Sequence, residues 1–314
     1  VSGGERMLTY VLRTLLRMAI TLFLIVTLVF FATRLSGNPV DFVLGEGITK
    51  EDRALLIAYY GLDSSIGTQY WRYLSSVFSG EFGLSFLERR PVSEIVLERA
   101  WPSLKLLLSA VCFTLIVSIP LGILAAIYRT SIIGSVVMVI AFLGYAVPSF
   151  IIGILLVLIF AYTLNWLPVI GDGTALHFIM PTLAISGTLV AAITRFTRNA
   201  MLDVLSQDYM RTARAKGLPE WAVILKHGLR NASITLLSVV GLQIASLAAA
   251  GSVVVESIFA WPGIGDLLVR SAILRDYPVL QFGVLSVAVA VIVINAVVDI
   301  AYAFADPRIR LAKG

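Results

Sequence analysis

The sequence predicts an all-α membrane protein with six transmembrane helices and a small helical external segment between the first two. Hydrophobic residues make up 59% of the 314 residues, charged residues only 14%, and the mean hydropathy is +0.93. A soluble domain carries roughly 25% charged residues. The apolar residues also collect in uncharged runs of about 20 residues, the length that crosses a bilayer.

Six uncharged runs supply the predicted spans. They are residues 18–33 (extended toward residue 7), 106–128, 132–162, 173–194, 231–255 and 277–298. The third run lies in a long uncharged interval that has no charged turn near its middle. We therefore expect one helix there, kinked near Pro148, rather than two short helices.

The distribution of basic residues predicts the orientation, because Lys and Arg accumulate in cytoplasmic loops. The connection after the third span, residues 165–178, contains neither residue type. The segment after the fourth span contains Arg195, Arg198, Arg211, Arg214, Lys216, Lys226 and Arg230. Both ends of the chain are basic as well, so we expect both termini in the cytoplasm.

Three regions follow from these spans. Residues 1–35 form the cytoplasmic N-terminus and first helix, residues 36–101 form the external segment, and residues 102–314 form helices 2–6 with a cytoplasmic loop at about 199–230. In the external segment, Thr49 and Asp52 predict a capping box for a helix over 50–60, which Gly61 would end. A second helix around 69–79 would end at Gly80.

Several function classes lack the residues they need. None of the five lysines follows a glycine, so the chain has no phosphate-binding loop of the Gly-Lys-Ser/Thr type. His177 and His227 are the only histidines and are predicted on opposite sides of the membrane, which argues against a metal site or a membrane enzyme. A self-sufficient channel or secondary transporter remains an alternative, although ion-coupling acids are missing from mid-membrane positions.

The cytoplasmic loop contains an amphipathic helix that begins at Leu218-Pro219, directly after Gly217. Its apolar side chains recur at helical spacing and predict one stripe. The stripe consists of Trp221, Ile224, Leu225, Gly228 and Leu229. Such a helix can rest on lipid headgroups or insert into a groove of a soluble partner, and composition alone does not separate these uses.

The same loop resembles the cytoplasmic loop of ABC-importer permeases, in which a Glu-Ala-Ala triplet precedes a Gly and an Ile-x-Leu-Pro run. Ala213, Gly217 and Leu229 match that general pattern, whereas Arg211 replaces the Glu and Arg230 replaces the Pro. The stretches DYMRTARAKGL and HGLRNA closely resemble the version in dipeptide and oligopeptide permeases. Further similar stretches, in order, are SGNPVD, SGEFGLSF, RRPVSEIV, FAWPGIGDLLVRSAILRDYPVLQ and DPRIR.

The chain is therefore identified as resembling the permease subunits of the dipeptide/oligopeptide/nickel ABC importer family. The resemblance implies the type I ABC importer permease fold, in a bacterial inner membrane. It also implies a homologous second permease, two cytoplasmic ATPases that bind ATP and Mg, and an extracytoplasmic substrate-binding protein. No cofactor is expected in this chain and no nucleic-acid partner. Peptides are the expected substrate, with nickel chelates, glutathione and oligosaccharides as alternatives.

The resemblance places the contacts with the ATPases in the cytoplasmic loop. The expected coupling residues are Arg211, Ala213, Gly217, Leu218, Pro219, Trp221, Ile224, Leu225, His227 and Arg230. For the translocation path, polar groups beside the Pro148 kink and in the fifth span are candidates. These are Tyr145, Ser149 and Gln243. A role in helix packing is an equally open interpretation of the three.

Overall fold

The computed structural model describes residues 3–37, 54, 57–58, 61–247 and 252–305, and this part of the chain is almost entirely helical. The helices are α1 (Gly3–Leu35), α2 (Ile66–Ser79), α3 (Val92–Ile127), α4 (Ile132–Ala146), α5 (Ser149–Leu156), α6 (Ala175–Leu205), α7 (Asp208–Ala215), α8 (Glu220–Ala222), α9 (Arg230–Ser246), α10 (Val253–Ile258), α11 (Ile264–Ile273) and α12 (Tyr277–Ala305). Two π-helical segments, Val157–Thr163 and Val223–Leu229, continue α5 and α8. The prediction of an all-α membrane protein is confirmed.

Four of the predicted spans coincide with long apolar helices. Within the described residues, the single helices long and apolar enough to cross a membrane are Leu12–Leu35, Val92–Ile127, Ala175–Leu205 and Tyr277–Val298. The second begins well before the predicted residue 106, so the boundary expected at 101/102 falls inside α3. The predicted fifth span is represented by α9 and α10, and residues 248–251 between them lie outside the described residues.

The predicted third span is not one kinked helix but a bent pair of helices, which together have the length and composition of a single span. The chain breaks at Pro148, and α4 meets α5 with its π-helical continuation at an angle of 100°. Pro148 has no N–H to continue a helix and disfavours helical conformation in the residue before it. Val147 accordingly adopts an extended conformation, and a new helix starts at Ser149. The position of the bend was predictable from the proline, but its size was not.

The chain divides into two compact units, of which the first comprises Val1–Ser103 and Pro262–Ile292. Its core consists of Val92, Ile95, Val96, Leu267 and Val279, with Phe82 and Phe282 packed against it. The carboxylate of Asp276 accepts hydrogen bonds from the Ser85 hydroxyl and from the Phe86 N–H, the latter at 3.1 Å. These bonds fix the loop before α3 to the start of α12.

Turn glycines of the predicted external segment have the conformations that the sequence predicts. Gly61 and Gly80 have φ of +63° and +76°, and Gly80 ends α2. This confirms the predicted helix stop at Gly80, and Gly61 has the left-handed conformation that such a stop requires. The capping box of Thr49 and Asp52 lies outside the described residues, as does most of the helix predicted over 50–60.

The second unit comprises Leu104–Trp261 and Val293–Gly314, and α3 and α6 pack closely within it. Hydroxyl groups line their contact: the Ser109 and Thr182 hydroxyls are 2.8 Å apart, and the Ser186 hydroxyl donates to the Ala110 carbonyl at 3.2 Å. At Gly122, an added Cβ would lie 2.4 Å from Cβ of Thr197. Small and polar residues thus bring the two backbones together, as is common between membrane helices.

Candidate functional site

The loop that is predicted to be cytoplasmic turns sharply at Gly217, between α7 and α8. Gly217 has φ of +74°, a left-handed conformation that L-residues with a side chain rarely adopt. Its N–H donates to the Arg214 carbonyl at 2.9 Å and so ends α7. An added Cβ would meet no atom within 4 Å. The glycine is therefore required by the backbone conformation of the turn and not by a lack of space.

A surface ion pair closes this turn from the outside. Nη2 of Arg214 lies 2.9 Å from Oε1 of Glu220, and Nε lies 3.2 Å from Oε2. The hydrogen bonds from Arg214 lower the pKa of Glu220, and the same bonds raise the pKa of Arg214. Both groups are exposed, so the pair fixes geometry more than it stabilises the fold. Sequence reasoning missed it because the partners lie on two helices separated by the turn.

The inner side of the segment after the turn packs against the membrane helices. Val223 is fully buried and packs with Met210 and Ala213 of α7. Ile224 is buried in a second cluster of apolar side chains. The other buried members of that cluster are Ile123 and Ala126 of α3, Ala200 and Met201 of α6, and Ala232 and Leu236 of α9. The loop is thus anchored to three long helices at once.

The outer side presents apolar side chains to the surroundings. Trp221 is 68% exposed, Leu225 49% and Leu218 39%. We call these three residues the coupling surface, after the role that the sequence resemblance predicts for them. Groups of exposed apolar residues mark interaction sites. Four charged residues near these three in the sequence are exposed as well: Arg211, Lys216, Lys226 and Arg230.

The prediction of a single apolar stripe is therefore wrong, since Ile224 and Gly228 face inward while Trp221 and Leu225 face outward. The reason is the π-helical segment Val223–Leu229, in which each turn contains more residues than an α-helical turn. A pattern read with the α-helical period goes out of phase across such a segment. Ile224 was expected among the ATPase contacts, but it is buried and packs against α3, α6 and α9.

The remaining predicted loop residues occupy different environments. Ala213 is buried, His227 is half-buried, and Pro219 stands immediately before the first residue of α8, where its carbonyl accepts from Ala222 at 2.9 Å and Val223 at 3.1 Å. The carbonyl of His227 accepts a hydrogen bond from the Asn231 amide at 2.7 Å. These residues build the loop, whereas the coupling surface is the part that a partner can touch.

The candidate path residues lie in two places. Tyr145 and Ser149 flank the break at Pro148, and Tyr145 is 50% exposed, whereas Gln243 is half-buried on α9. The Arg195 guanidinium of α6 lies over the Tyr145 ring, 4.9 Å from its centroid. This cation–π contact joins residues fifty positions apart, so no local pattern in the sequence predicts it.

Both halves of the chain match families of transport proteins. Residues 118–311 match the family described as "Binding-protein-dependent transport system inner membrane component". Residues 7–106 match the family of the N-terminal part of such membrane components.

Individual relatives agree with the family match. The glutathione transport system permease protein GsiC of Salmonella paratyphi A is 43% identical over 305 residues, which cover 97% of this chain and 99% of the relative. The protein of the same name from Escherichia coli K12 is 42% identical over the same length. Among solved structures, the inward-facing methionine ABC transporter MetNI matches with a TM-score of 0.54 at 17% identity, over 72% of this chain and 99% of that chain. That similarity concerns the fold, and it confirms the predicted type I permease fold.

Proposed function

The chain belongs to the family of binding-protein-dependent transport system inner membrane components, and from this premise we propose that it forms half of a translocation pathway for short peptides. It is a membrane-embedded permease subunit of an ABC importer. In such a transporter, closure of the ATPases has to move membrane helices. The proposal therefore requires a docking surface that is rigidly joined to those helices.

The observation that carries the proposal is the two-sided structure of the loop after Gly217. Trp221 and Leu225 are exposed on one side, while Val223 and Ile224 are buried against α7 and the long helices on the other. A helix with an exposed apolar side fits a groove of a soluble partner. Its inner side is packed into the membrane helices without a flexible linker. A displacement of the coupling surface would therefore move those helices directly.

The partners proposed are two cytoplasmic ATPases, a homologous second permease and an extracytoplasmic substrate-binding protein. The ATPases would bind ATP and Mg and perform the hydrolysis, whereas this chain would catalyse no reaction and hold no cofactor. The basic residues around the cytoplasmic loop support a location of that loop, and of both termini, in the cytoplasm of a bacterium.

The substrate class is proposed as short peptides, with glutathione as the first candidate. Glutathione is itself a tripeptide, and the relatives that are 42–43% identical over nearly the whole chain carry its name. Nickel chelates and oligosaccharides are the competing substrates. The mostly apolar spans, with few ionisable groups, suit a bulky and varied molecule better than a bare cation.

The test of this proposal uses the complete importer, purified with its ATPases, its second permease and its binding protein and reconstituted in liposomes. We expect copurification of two ATPase subunits and ATP hydrolysis stimulated by the loaded binding protein. Uptake of radiolabelled glutathione or dipeptides should require ATP. Uptake of a nickel chelate or an oligosaccharide alone would overturn the peptide assignment, and uptake without any ATPase would overturn the importer mechanism.

A further inference from the structure

Helix α2 has three distinct sides. Tyr70 and Tyr73 pack against α1: the Tyr70 ring lies 5.2 Å from Phe30 and 5.6 Å from Phe31, and Tyr73 stacks on Phe30 at 5.5 Å. The polar side carries the exposed residues Thr68, Arg72, Ser75 and Ser79. The third side carries aromatic rings that are largely exposed.

These aromatic rings are unusually exposed. Trp71 is 71% and Phe78 85% exposed. The two are seven residues apart, about two turns at 3.6 residues per turn, so they project from the same side of the helix. No residue of α2 is buried. The helix is therefore amphipathic. Its apolar half carries the two packed tyrosines and the two exposed rings, and its polar half carries the hydroxyl and guanidinium groups.

The contacts with α1 place α2 at a defined depth along a membrane span. The Tyr70 hydroxyl lies 2.7 Å from the Thr27 hydroxyl, and the span runs over Leu12–Leu35. At a rise of about 1.5 Å per residue, Thr27 and Phe31 lie about 12 and 6 Å from the end of this span. A span of 24 residues exceeds a hydrocarbon core of about 30 Å by about 3 Å at each end. Phe31 and Thr27 therefore lie about 3 and 9 Å inside the hydrocarbon boundary, which is the depth to which an interfacial helix buries its apolar side, about 5–10 Å.

The surface of α1 beside this contact is apolar and exposed as well. Leu24, Leu28 and Leu35 of the predicted span are 59%, 69% and 87% exposed, and Phe31 adjoins them while it also touches Tyr70. Phe31 thus belongs both to the apolar stripe of the span and to the contact with α2. The apolar surface continues from one helix to the next at the depth where aromatic side chains are enriched in membrane proteins.

We infer that α2 is an interfacial helix, which lies on the membrane beside α1 and inserts Trp71 and Phe78 into the boundary between lipid headgroups and acyl chains. Its polar side faces water, and its tyrosines join it to the span. Such a helix binds through buried apolar area. It would hold the segment between α1 and α3 against the bilayer surface.

The test measures the depth of single positions in the assembled importer. In a Cys112→Ser background, cysteine is introduced at Trp71 or Phe78 and, as matched controls on the polar side of α2, at Thr68 or Ser79. Each is labelled with an environment-sensitive fluorophore in nanodiscs. We expect blue-shifted emission and quenching by nitroxide-labelled lipids at 71 and 78, and quenching by aqueous iodide at 68 and 79.

Two outcomes would overturn the inference. Strong iodide quenching at 71 and 78 without lipid quenching would place the rings in water. Protection of both positions from both quenchers would mean that a partner protein covers them. A second measurement uses tryptophan emission and needs no cysteine. Nitroxide lipids should quench a smaller fraction of this emission in the Trp71→Phe importer than in the parent. If they quench the same fraction in both, the proposed depth of Trp71 is wrong.

Discussion

Individual residues of the loop around Gly217 divide into those that set its shape and those that are exposed for contact with a partner. Gly217 sets the turn through its left-handed backbone, and the Arg214–Glu220 pair closes the same turn. Trp221 and Leu225 contribute little to the fold, because about half or more of each side chain is exposed. Substitutions in the two groups should therefore fail in different ways.

Replacement of Gly217 tests the role of the backbone conformation. A β-branched side chain strongly disfavours φ of +74°, and the left-handed region costs an L-residue roughly 1–2 kcal/mol. We expect Gly217→Val to lower ATP-driven uptake by about tenfold. Gly217→Asn should retain most of the uptake, since Asn tolerates this conformation and an added Cβ has open space. Equal loss in both variants would show that the turn conformation is not the cause.

Replacement of the coupling surface tests docking. Trp221→Asp and Leu225→Asp place a charge where an apolar contact with the ATPases is proposed. Removal of a central aromatic anchor typically costs about 2 kcal/mol or more of binding free energy. We expect each variant to insert into the membrane at normal levels but to lose copurifying ATPase and uptake.

The matched controls for docking are Trp221→Phe and Leu225→Met, which keep the apolar surface and should copurify with the ATPases as the parent does. Normal copurification and uptake with both Asp variants would refute the docking assignment. Ile224→Asp is unsuitable for this purpose, because Ile224 is buried and its replacement would disrupt the fold.

At the scale of whole elements, the loop and the membrane helix after it form one continuous helical rod. The backbone remains in right-handed helical conformation at Ala222, Val223, Leu229 and Arg230, through the π-helical segment and into α9. The rod lies against α3 and α6, which are themselves held together by close contacts at Gly122 and by hydroxyl groups. Displacement of the coupling surface would thus move several helices together.

A pair of glycine substitutions tests the close packing of α3 against α6. An added Cβ at Gly122 would lie 2.4 Å from Cβ of Thr197 and 2.8 Å from the Thr194 carbonyl oxygen. We expect Gly122→Ala to destabilise the purified permease by roughly 1–3 kcal/mol, the usual range for overpacking, in thermal unfolding monitored in detergent. Gly144→Ala is the control, because its Cβ would meet its nearest neighbours at an ordinary 3.5 Å. Equal stability of the two variants would contradict the close α3–α6 contact.

For the molecule as a whole, the sequence predicts the features that depend on local composition, such as the positions of the spans, but not those that depend on how distant helices pack. The spans at Leu12–Leu35 and Ala175–Leu205 were predictable because their apolar residues are contiguous. The 100° angle at Pro148 was not, since the proline marks only the position of the break. The inward orientation of Ile224 depends on a π-helical turn, and the contact of Arg195 with Tyr145 depends on how distant helices pack. Pairings of this kind arise only when the chain is folded.

The orientation of the whole chain is the prediction on which the docking proposal depends, and two exposed positions test it. Gly173 precedes α6 and Ser206 follows it, so the two lie at opposite ends of one span. The basic residues after α6 predict a cytoplasmic location for Ser206. In a Cys112→Ser background, we expect a membrane-impermeant maleimide to label Gly173→Cys in intact spheroplasts and Ser206→Cys only after permeabilisation. An added Cβ at Gly173 meets no atom within 4 Å, so the cysteine should not disturb the fold. The reverse labelling pattern would put the coupling surface outside the cell, where no ATPase could reach it.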